Sequence, residues 1–394
     1  MKGKRSYDLN LLCVTLFLVA LGLIMVTSAS QIVGQERFRS PFFFMQRHAI
    51  RVAFGVCVLL FFMKIPYRIY QRFSLPILLV SFFLLAAIFF WGFEVRGANR
   101  WLPLFNFMLQ PVEIAKLSLV MFLAGKIADL KKHVYEFKKG FLPLAIVSSI
   151  MAVLVALQPN FTNAALILIL SFAILFVGGC RLHHLAAFGA CMVSVAVSVV
   201  LKVPSAYGRI SAFINGGQDT HGANWQIDQS LIALGSGFIF GCGPGKGHQK
   251  YSFLPDAHTD FIYSIIGEEL GAIGTILVLI IFAFILRQAV RTAKRSSNSF
   301  GYLLALGIGI SIFASATINI AMTLGILPIA GLPLPFISYG GTSLITSMAS
   351  IGILLNISSA GCDRVRMRET SSERKSTRRV YARRVKGRGK PSRY

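Results

Sequence analysis

Asp260, Glu268 and Glu269 put three carboxylates within ten residues of a chain that has only 15 acidic residues against 40 basic ones. They lie in LPDAHTDFIYSIIGEELG, residues 254–271, where a polar loop ends and a long apolar helix is predicted to begin. A carboxylate in such surroundings is costly and is usually kept because it acts on a substrate, an ion or a proton. The competing reading is a structural pair that ties neighbouring helices together.

Other polar groups interrupt apolar sequence in the same way. LQPVEIAKL opens a predicted helix with Pro111 in the first turn, where proline is tolerated, and Glu113 near the positive end of the dipole. Glu113 and Lys116 are three apart and share a helix face. They either neutralise each other or present Lys116 to a phosphate as a point charge, with Glu113 holding it. Just before them, RGANRWLPLF supplies Arg96, Arg100 and Trp101. Trp101 reads as a membrane-interface residue and Arg100 as a planar partner for a phosphate or carboxylate. Residues 327–344, LPIAGLPLPFISYGGTSL, are too broken by proline and glycine to form regular helix, and at membrane depth must be buried in protein or line a cavity. Ser338, Tyr339 and the NH groups around Gly340 and Gly341 can bind an anion there as a backbone nest.

The elements that must position these groups are membrane-spanning helices. Hydrophobic residues make up 55% of the chain and charged residues 14%, well below the quarter or so of a soluble domain. Apolar runs of about 17–25 residues recur throughout, long enough to cross a hydrocarbon core of about 30 Å and too long for barrel strands. The expected fold is therefore all-α and polytopic. About ten spans are predicted, near 9–31, 47–63, 74–92, 109–126, 141–157, 162–179, 185–202, 259–286, 300–323 and 342–358. Basic residues collect in alternate loops, as at Lys64, Arg68 and Arg72, then Lys126 to Lys139, Arg181, and Arg287 to Arg295. Positive loops stay in the cytoplasm, so both termini are expected there.

The largest loop of the opposite phase is extracytoplasmic, runs from about 203 to 258 between helices 7 and 8, and is long enough to suggest function. It contains Arg209 and an amphipathic segment, WQIDQSLIALG, which includes Gln229 and either lies in the interface or re-enters the bilayer. It also holds SGFIFGCGPGKG, whose five glycines permit close approach to a ligand or, more simply, tight turns.

The formal charge of +25 is concentrated at the end of the chain, with thirteen basic residues after Ser359. The chain thus divides into a membrane domain, 1–358, and a basic tail, 359–394, too polar to fold alone. The tail reads as a disordered cytoplasmic segment drawn to anionic lipid or to a partner protein; no nucleic acid is expected, since no aromatic platform accompanies the charge. Six cysteines without a CxxC indicate neither a zinc site nor a disulfide framework. The first apolar run lacks a clear signal-peptide cleavage site.

Taken in order, GANRW, QPVEIAKL, YGRISAF, QIDQSLIALGSG, FLPDAHTDFIYSIIGEELG and LPLPFISYGGTSL resemble the SEDS (shape, elongation, division and sporulation) membrane proteins, the FtsW/RodA group, from Leu9 to about Ser358. The HQKYSFLPDAHTDFI and IIGEELG wording is closer to the division-type FtsW branch. The resemblance implies a peptidoglycan glycosyltransferase of the bacterial cytoplasmic membrane, placed at the division septum. It would join disaccharide units of lipid II outside the membrane and release undecaprenyl diphosphate. Its partners would be a class B penicillin-binding protein, a transpeptidase, and other division proteins. The family's proposed catalytic aspartate, in HTDF, falls at Asp260; Gln229, Lys250, His258 and Thr259 join Arg100, Glu113, Lys116, Arg209, Ser338, Tyr339, Gly340 and Gly341 as expected substrate-binding residues. The chain departs from the family pattern at Asp256, where Glu is usual, at Trp225, at Phe238, where Gly is frequent, and at Asn160, where QPD becomes QPN. Asn160 cannot serve as an ionised group.

Residues and resemblance meet on glycosyl transfer with a lipid diphosphate leaving group. A sugar hydroxyl is a poor nucleophile, and a carboxylate that takes its proton helps by about 10²–10⁴-fold. The departing diphosphate needs cations, which Lys116, Arg100 and Arg209 can supply; a divalent ion (Mg or Mn) is the one cofactor considered. Two other classes stay open: a lipid II flippase or secondary transporter using Glu113, Lys116, Glu268 and Glu269 as a path, and a non-catalytic division scaffold.

Overall fold

The computed structural model describes residues 7–95, 98–104, 107–215, 223–251 and 254–361. The basic tail beyond 361, Arg96 and the middle of the long loop, 216–222, lie outside the described residues. Thirteen α-helices are described: α1 (Leu9–Phe38), α2 (Phe43–Lys64), α3 (Arg68–Arg72), α4 (Ser74–Trp91), α5 (Pro111–Leu130), α6 (Leu142–Ala156), α7 (Phe161–Val177), α8 (Leu182–Lys202), α9 (Pro204–Asn215), α10 (Ala223–Ser236), α11 (Ile262–Arg295), α12 (Ser299–Thr323) and α13 (Gly341–Gly361).

Eight described helices are long and apolar enough to cross a membrane: α1, α2, α4, α6 with the turn before it, α8, α11, α12 and α13. The other two expected spans correspond to α7, which has 17 residues, and α5, which has 20 but carries Glu113, Lys116, Lys126 and Asp129. Both present many buried residues to their neighbours. A helix shielded by protein needs neither the length nor the composition of a lipid-facing one, so hydropathy undercounts the interior of the bundle. The core is continuous across α1, α5, α7, α11, α12 and α13, with α13 among the most enclosed helices. By contrast, α8 buries a single residue, Leu185.

Three features depart from the expected pattern of straight spans and open loops. Between α4 and α5 the chain makes a small antiparallel sheet, β1 (Phe93–Val95), β2 (Ala98–Leu104) and β3 (Phe107–Leu109), in the order β1-β2-β3. Its strands are only three to seven residues long, too short for alternation to register in the sequence. The 203–258 segment contains two helices, α9 and α10. Finally, α11 is interrupted at Gly271 (φ 69°, ψ −168°), which separates a half-helix, 262–270, from the long remainder. The Ala272 and Ile273 NH groups donate to the Phe238 and Ile239 carbonyls instead of to the preceding turn. The glycine run serves this junction: a Cβ on Gly241 would overlap the Glu269 carbonyl. Its glycines therefore do permit close backbone approach, but to the half-helix of the same chain.

Candidate functional site

Asp260 lies in the turn ahead of α11, two residues before its first residue Ile262, where the polar loop meets the helix. Asp256 shapes that turn with a left-handed φ of 59°, a conformation that Asp adopts more readily than most residues. Its carbonyl accepts hydrogen bonds from the Thr259 NH at 2.9 Å and the Phe261 NH at 3.4 Å, and from the Thr259 hydroxyl at 3.2 Å. From α12, the buried amide of Asn319 donates to the Asp260 carbonyl at 2.8 Å and to the Leu332 carbonyl at 2.6 Å. One side chain thus fastens the Asp260 turn to the proline-rich segment.

That fastening brings Gly331 beside the Asp260 carboxylate. Gly331 has φ 61°, and a Cβ there would lie 3.6 Å from Arg100 Nη1 and 3.9 Å from Asp260 Oδ2. Carboxylate and guanidinium therefore flank a position where only hydrogen protrudes and where the left-handed backbone also favours glycine. Arg100 comes from β2 and donates through Nη2 to the Pro159 carbonyl. Its pKa is held below the usual arginine value, first by burial and then by the charge of Arg209, whereas Asp260 acts in the opposite direction. Arg209, on α9, is thus electrostatically coupled to the same guanidinium. Two cations and one partly exposed carboxylate can together hold an anionic group and accept a proton beside it.

An aromatic wall adjoins the turn. His258 lies 4.8 Å from the Phe44 ring and 5.6 Å from that of Tyr339, and its carbonyl accepts the Tyr339 NH at 3.0 Å. Arg51 of α2 stands 4.4 Å over the Tyr339 ring, within the range of cation–π attraction. Phe44 and Arg51 were not singled out from sequence, although Arg47, His48 and Arg51 are conspicuous in an otherwise apolar span.

The other expected residues divide sharply. Glu268 accepts the NH groups of His248 at 2.5 Å and Gln249 at 3.1 Å. Glu269 binds the Ser28 hydroxyl at 2.5 Å, the Gly245 NH at 3.0 Å and Lys250 at 3.0 Å. Both carboxylates are 1% exposed and tie the 242–250 loop and α1 to the half-helix in this structure. Lys250 is spent in the same cluster, with its ammonium on Glu269, Ser28 and the Gly245 carbonyl, and is not free to bind substrate. Gln229 is buried on α10, a helix that Ser230 holds to α11 and α12 through Ser264 and the Thr323 carbonyl.

Three NH groups of the expected anion nest are engaged within the chain. The Ser338 NH goes to the Leu334 carbonyl, that of Tyr339 to His258, and that of Gly340 to the Ser338 carbonyl. The Ser338 hydroxyl in turn accepts the Leu334 NH at 2.8 Å. These NH groups, with that of Gly341 next to them at the start of α13, belong to the bend that leads into that helix, so Tyr339 contributes its ring and not its backbone. Glu113 and Lys116 do pair, at 2.7 Å. They line a small cavity of about 30 Å³ with Ser311, Ser315, Ser343 and Ser347; Leu332 and Pro333, next to Gly331, close its wall. Neither Asp260 nor Arg100 lines this cavity, so Lys116 and Asp260 lie in separate sites.

Asp260 with two arginines is a poor donor set for a resident divalent ion, which prefers several oxygen ligands. Among the described residues no group of three or more His, Cys, Asp or Glu side chains could hold a metal ion. Positive charge at this site is supplied by the guanidinium groups.

Asn319 was missed, although a lone Asn in the middle of an apolar helix was its signal. Replacing it with Ala strands the two carbonyls it serves and is expected to lower stability in detergent by about 1–3 kcal/mol. An unfolding midpoint equal to that of the parent would show that these bonds do not hold the turn.

The chain matches the family model described as "Cell cycle protein", FtsW/RodA/SpoVE, over residues 8–361. It is 41% identical over 357 residues to a probable peptidoglycan glycosyltransferase FtsW of Trichlorobacter lovleyi, covering 90% of this chain and 93% of that protein. It is 36% identical to the stage V sporulation protein E of Bacillus subtilis, covering 90% and 98% of the two chains. Among solved structures, a chain of a peptidoglycan synthase complex superposes with a TM-score of 0.75 at 24% identity, covering 91% of this chain and 99% of that one. The rod shape determining protein RodA of Thermus thermophilus does so with a TM-score of 0.65, also at 24% identity, covering 90% and 97%.

Proposed function

We infer the reaction of this site from the premise that the chain belongs to the FtsW/RodA/SpoVE family of cell cycle proteins and is a peptidoglycan glycosyltransferase. It is a multi-span membrane protein. Its substrate, on this reading, is lipid II, and its product a glycan strand with release of undecaprenyl diphosphate. The observation that carries the reading is the Asp260 carboxylate facing Arg100 across Gly331, with Arg209 acting on the same guanidinium.

In the proposed reaction Asp260 takes the proton from the acceptor sugar hydroxyl as its oxygen attacks the anomeric carbon of the donor. The bond from that carbon to the diphosphate breaks, and Arg100 and Arg209 receive the charge that develops on the leaving oxygen. Direct displacement with a single carboxylate inverts the centre, from an α-linked donor to a β-linked product. Water on Asp260 would be a competing nucleophile, and the wall of Phe44, Tyr339 and His258 is suited to packing a sugar face against the turn and limiting its access.

The alternation of basic loops supports cytoplasmic termini, with Asp260 at the outer face of the cytoplasmic membrane. A division role at the septum accords with the family's description as cell cycle proteins, and a class B penicillin-binding protein as crosslinking partner with the neighbouring structure, a synthase complex that coordinates polymerization and crosslinking. The test is reconstitution: purified protein with its transpeptidase partner and lipid II should yield glycan strands resolved on a gel. Transfer of lipid II across vesicle bilayers without polymer would favour the transporter, and neither activity would favour the scaffold.

A further inference from the structure

The mechanism above leaves unused a buried cluster at the far end of the half-helix from Asp260. Lys250, Glu269 and Ser28 are 4%, 1% and 8% exposed. The Lys250 ammonium donates to Glu269 Oε1 at 3.0 Å, to Ser28 Oγ at 3.0 Å and to the Gly245 carbonyl at 2.6 Å. Glu269 also receives the Ser28 hydroxyl and the Gly245 NH. The backbone repeats the connection, for the Cys242 and Gly243 NH groups donate to the Glu268 and Glu269 carbonyls at 2.9 and 3.1 Å. Three separate pieces of chain, α1, the 242–250 loop and the half-helix, are therefore joined at one point.

We propose that Lys250 and Glu269, with Ser28, are positioning residues for Asp260: their buried ion pair clamps the half-helix whose other end carries the Asp260 turn. This rests on the reading of Asp260 as the base. A burial cost this large is not needed merely to fill space, since apolar residues of similar volume do that at least as well. The charged pair instead fixes direction, because three ammonium protons and a carboxylate are satisfied in only one arrangement. A half-helix of nine residues is about 13 Å long, so a tilt of about 5° at the clamp moves Asp260 by about 1 Å. A misplacement of that size can cost about 10²-fold in rate.

The test uses the full chain with its transpeptidase partner and lipid II. Lys250→Met should lower kcat about 10–100-fold and leave KM within about twofold, because the arginines that hold the diphosphate are untouched. Ser28→Ala, the gentler variant, should lower kcat about threefold or more with its thermal midpoint unchanged. Lys250→Met with Glu269→Gln should recover the thermal stability lost in Lys250→Met yet keep kcat at least about tenfold down, an effect that a purely structural pair would not produce. Wild-type kcat in the stably folded double variant, or in Ser28→Ala should Lys250→Met not fold, overturns the clamp. So does a raised KM with unchanged kcat in Lys250→Met, which would put Lys250 on the substrate. Asp260→Asn in the same assay separates the two ideas: if it stays active the parent reading fails, and if it alone is inactive only the clamp fails.

Discussion

Asp260→Asn is expected to insert, fold and bind its transpeptidase partner normally while polymerising lipid II at least about 10²-fold more slowly, the usual scale for a lost acid–base group. The substitution keeps side-chain volume, and the turn is held through the Asp260 backbone carbonyl by Asn319, so no cavity or slack is introduced. What changes is that an amide cannot accept the proton of the attacking hydroxyl. Removing the anion also takes from Arg100 an opposing charge that Asp260 supplies. The donor diphosphate should then bind as well as before or better, and the loss should fall on kcat with KM unchanged or lowered. Asp256→Asn is the control: that residue shapes the turn with its left-handed backbone, a conformation Asn also tolerates, so the effect should be milder. Near-normal glycan strands from a folded Asp260→Asn protein would sink the catalytic assignment.

The apolar runs and the turn that carries Asp260 stand out in the sequence because both depend on local signals. Long apolar runs mark helices whatever they pack against, and a carboxylate next to such a run is conspicuous at any distance. The partners of Asp260 were less legible. Arg100 and Arg209 stand out as charges, but that they converge depends on a short sheet and on α9, elements too short to be read as spans. Asn319 and Gly331 act through two hydrogen bonds and a missing Cβ, and both need the tertiary fold before they mean anything. Glu268 and Glu269 show the opposite failure. They carried the strongest chemical signal by residue type, yet their oxygens serve loop NH groups, Lys250 and Ser28. Those contacts depend on the Gly271 break, which folds the loop back over the end of the half-helix; hydropathy alone reads straight through that glycine. Phe238 illustrates the same limit, since an aromatic at φ 44° occupies a position whose backbone asks for glycine.

Lys116→Met is expected to destabilise the membrane domain by about 3–5 kcal/mol, the scale for stranding one member of a buried pair. Lys116 and Glu113 are 2.7 Å apart, with side chains 6% and 7% exposed. They sit in the first turns of α5, where Pro111 starts the helix and the helix dipole favours the Glu113 carboxylate. The surrounding cavity offers serine hydroxyls, but no second cation is among its lining residues. A lone Glu113 carboxylate would therefore stay charged at a cost or take up a proton, and either outcome draws on folding free energy. Adding Glu113→Gln removes the stranded charge and leaves an amide that the serines can satisfy. The double variant should consequently unfold at a higher temperature in detergent than Lys116→Met alone. Additivity is the decisive comparison, because uncoupled sites sum their separate costs while a direct pair does not. A double variant no more stable than the worse single would mean that the two charges are held by other groups and that their proximity contributes nothing to the fold.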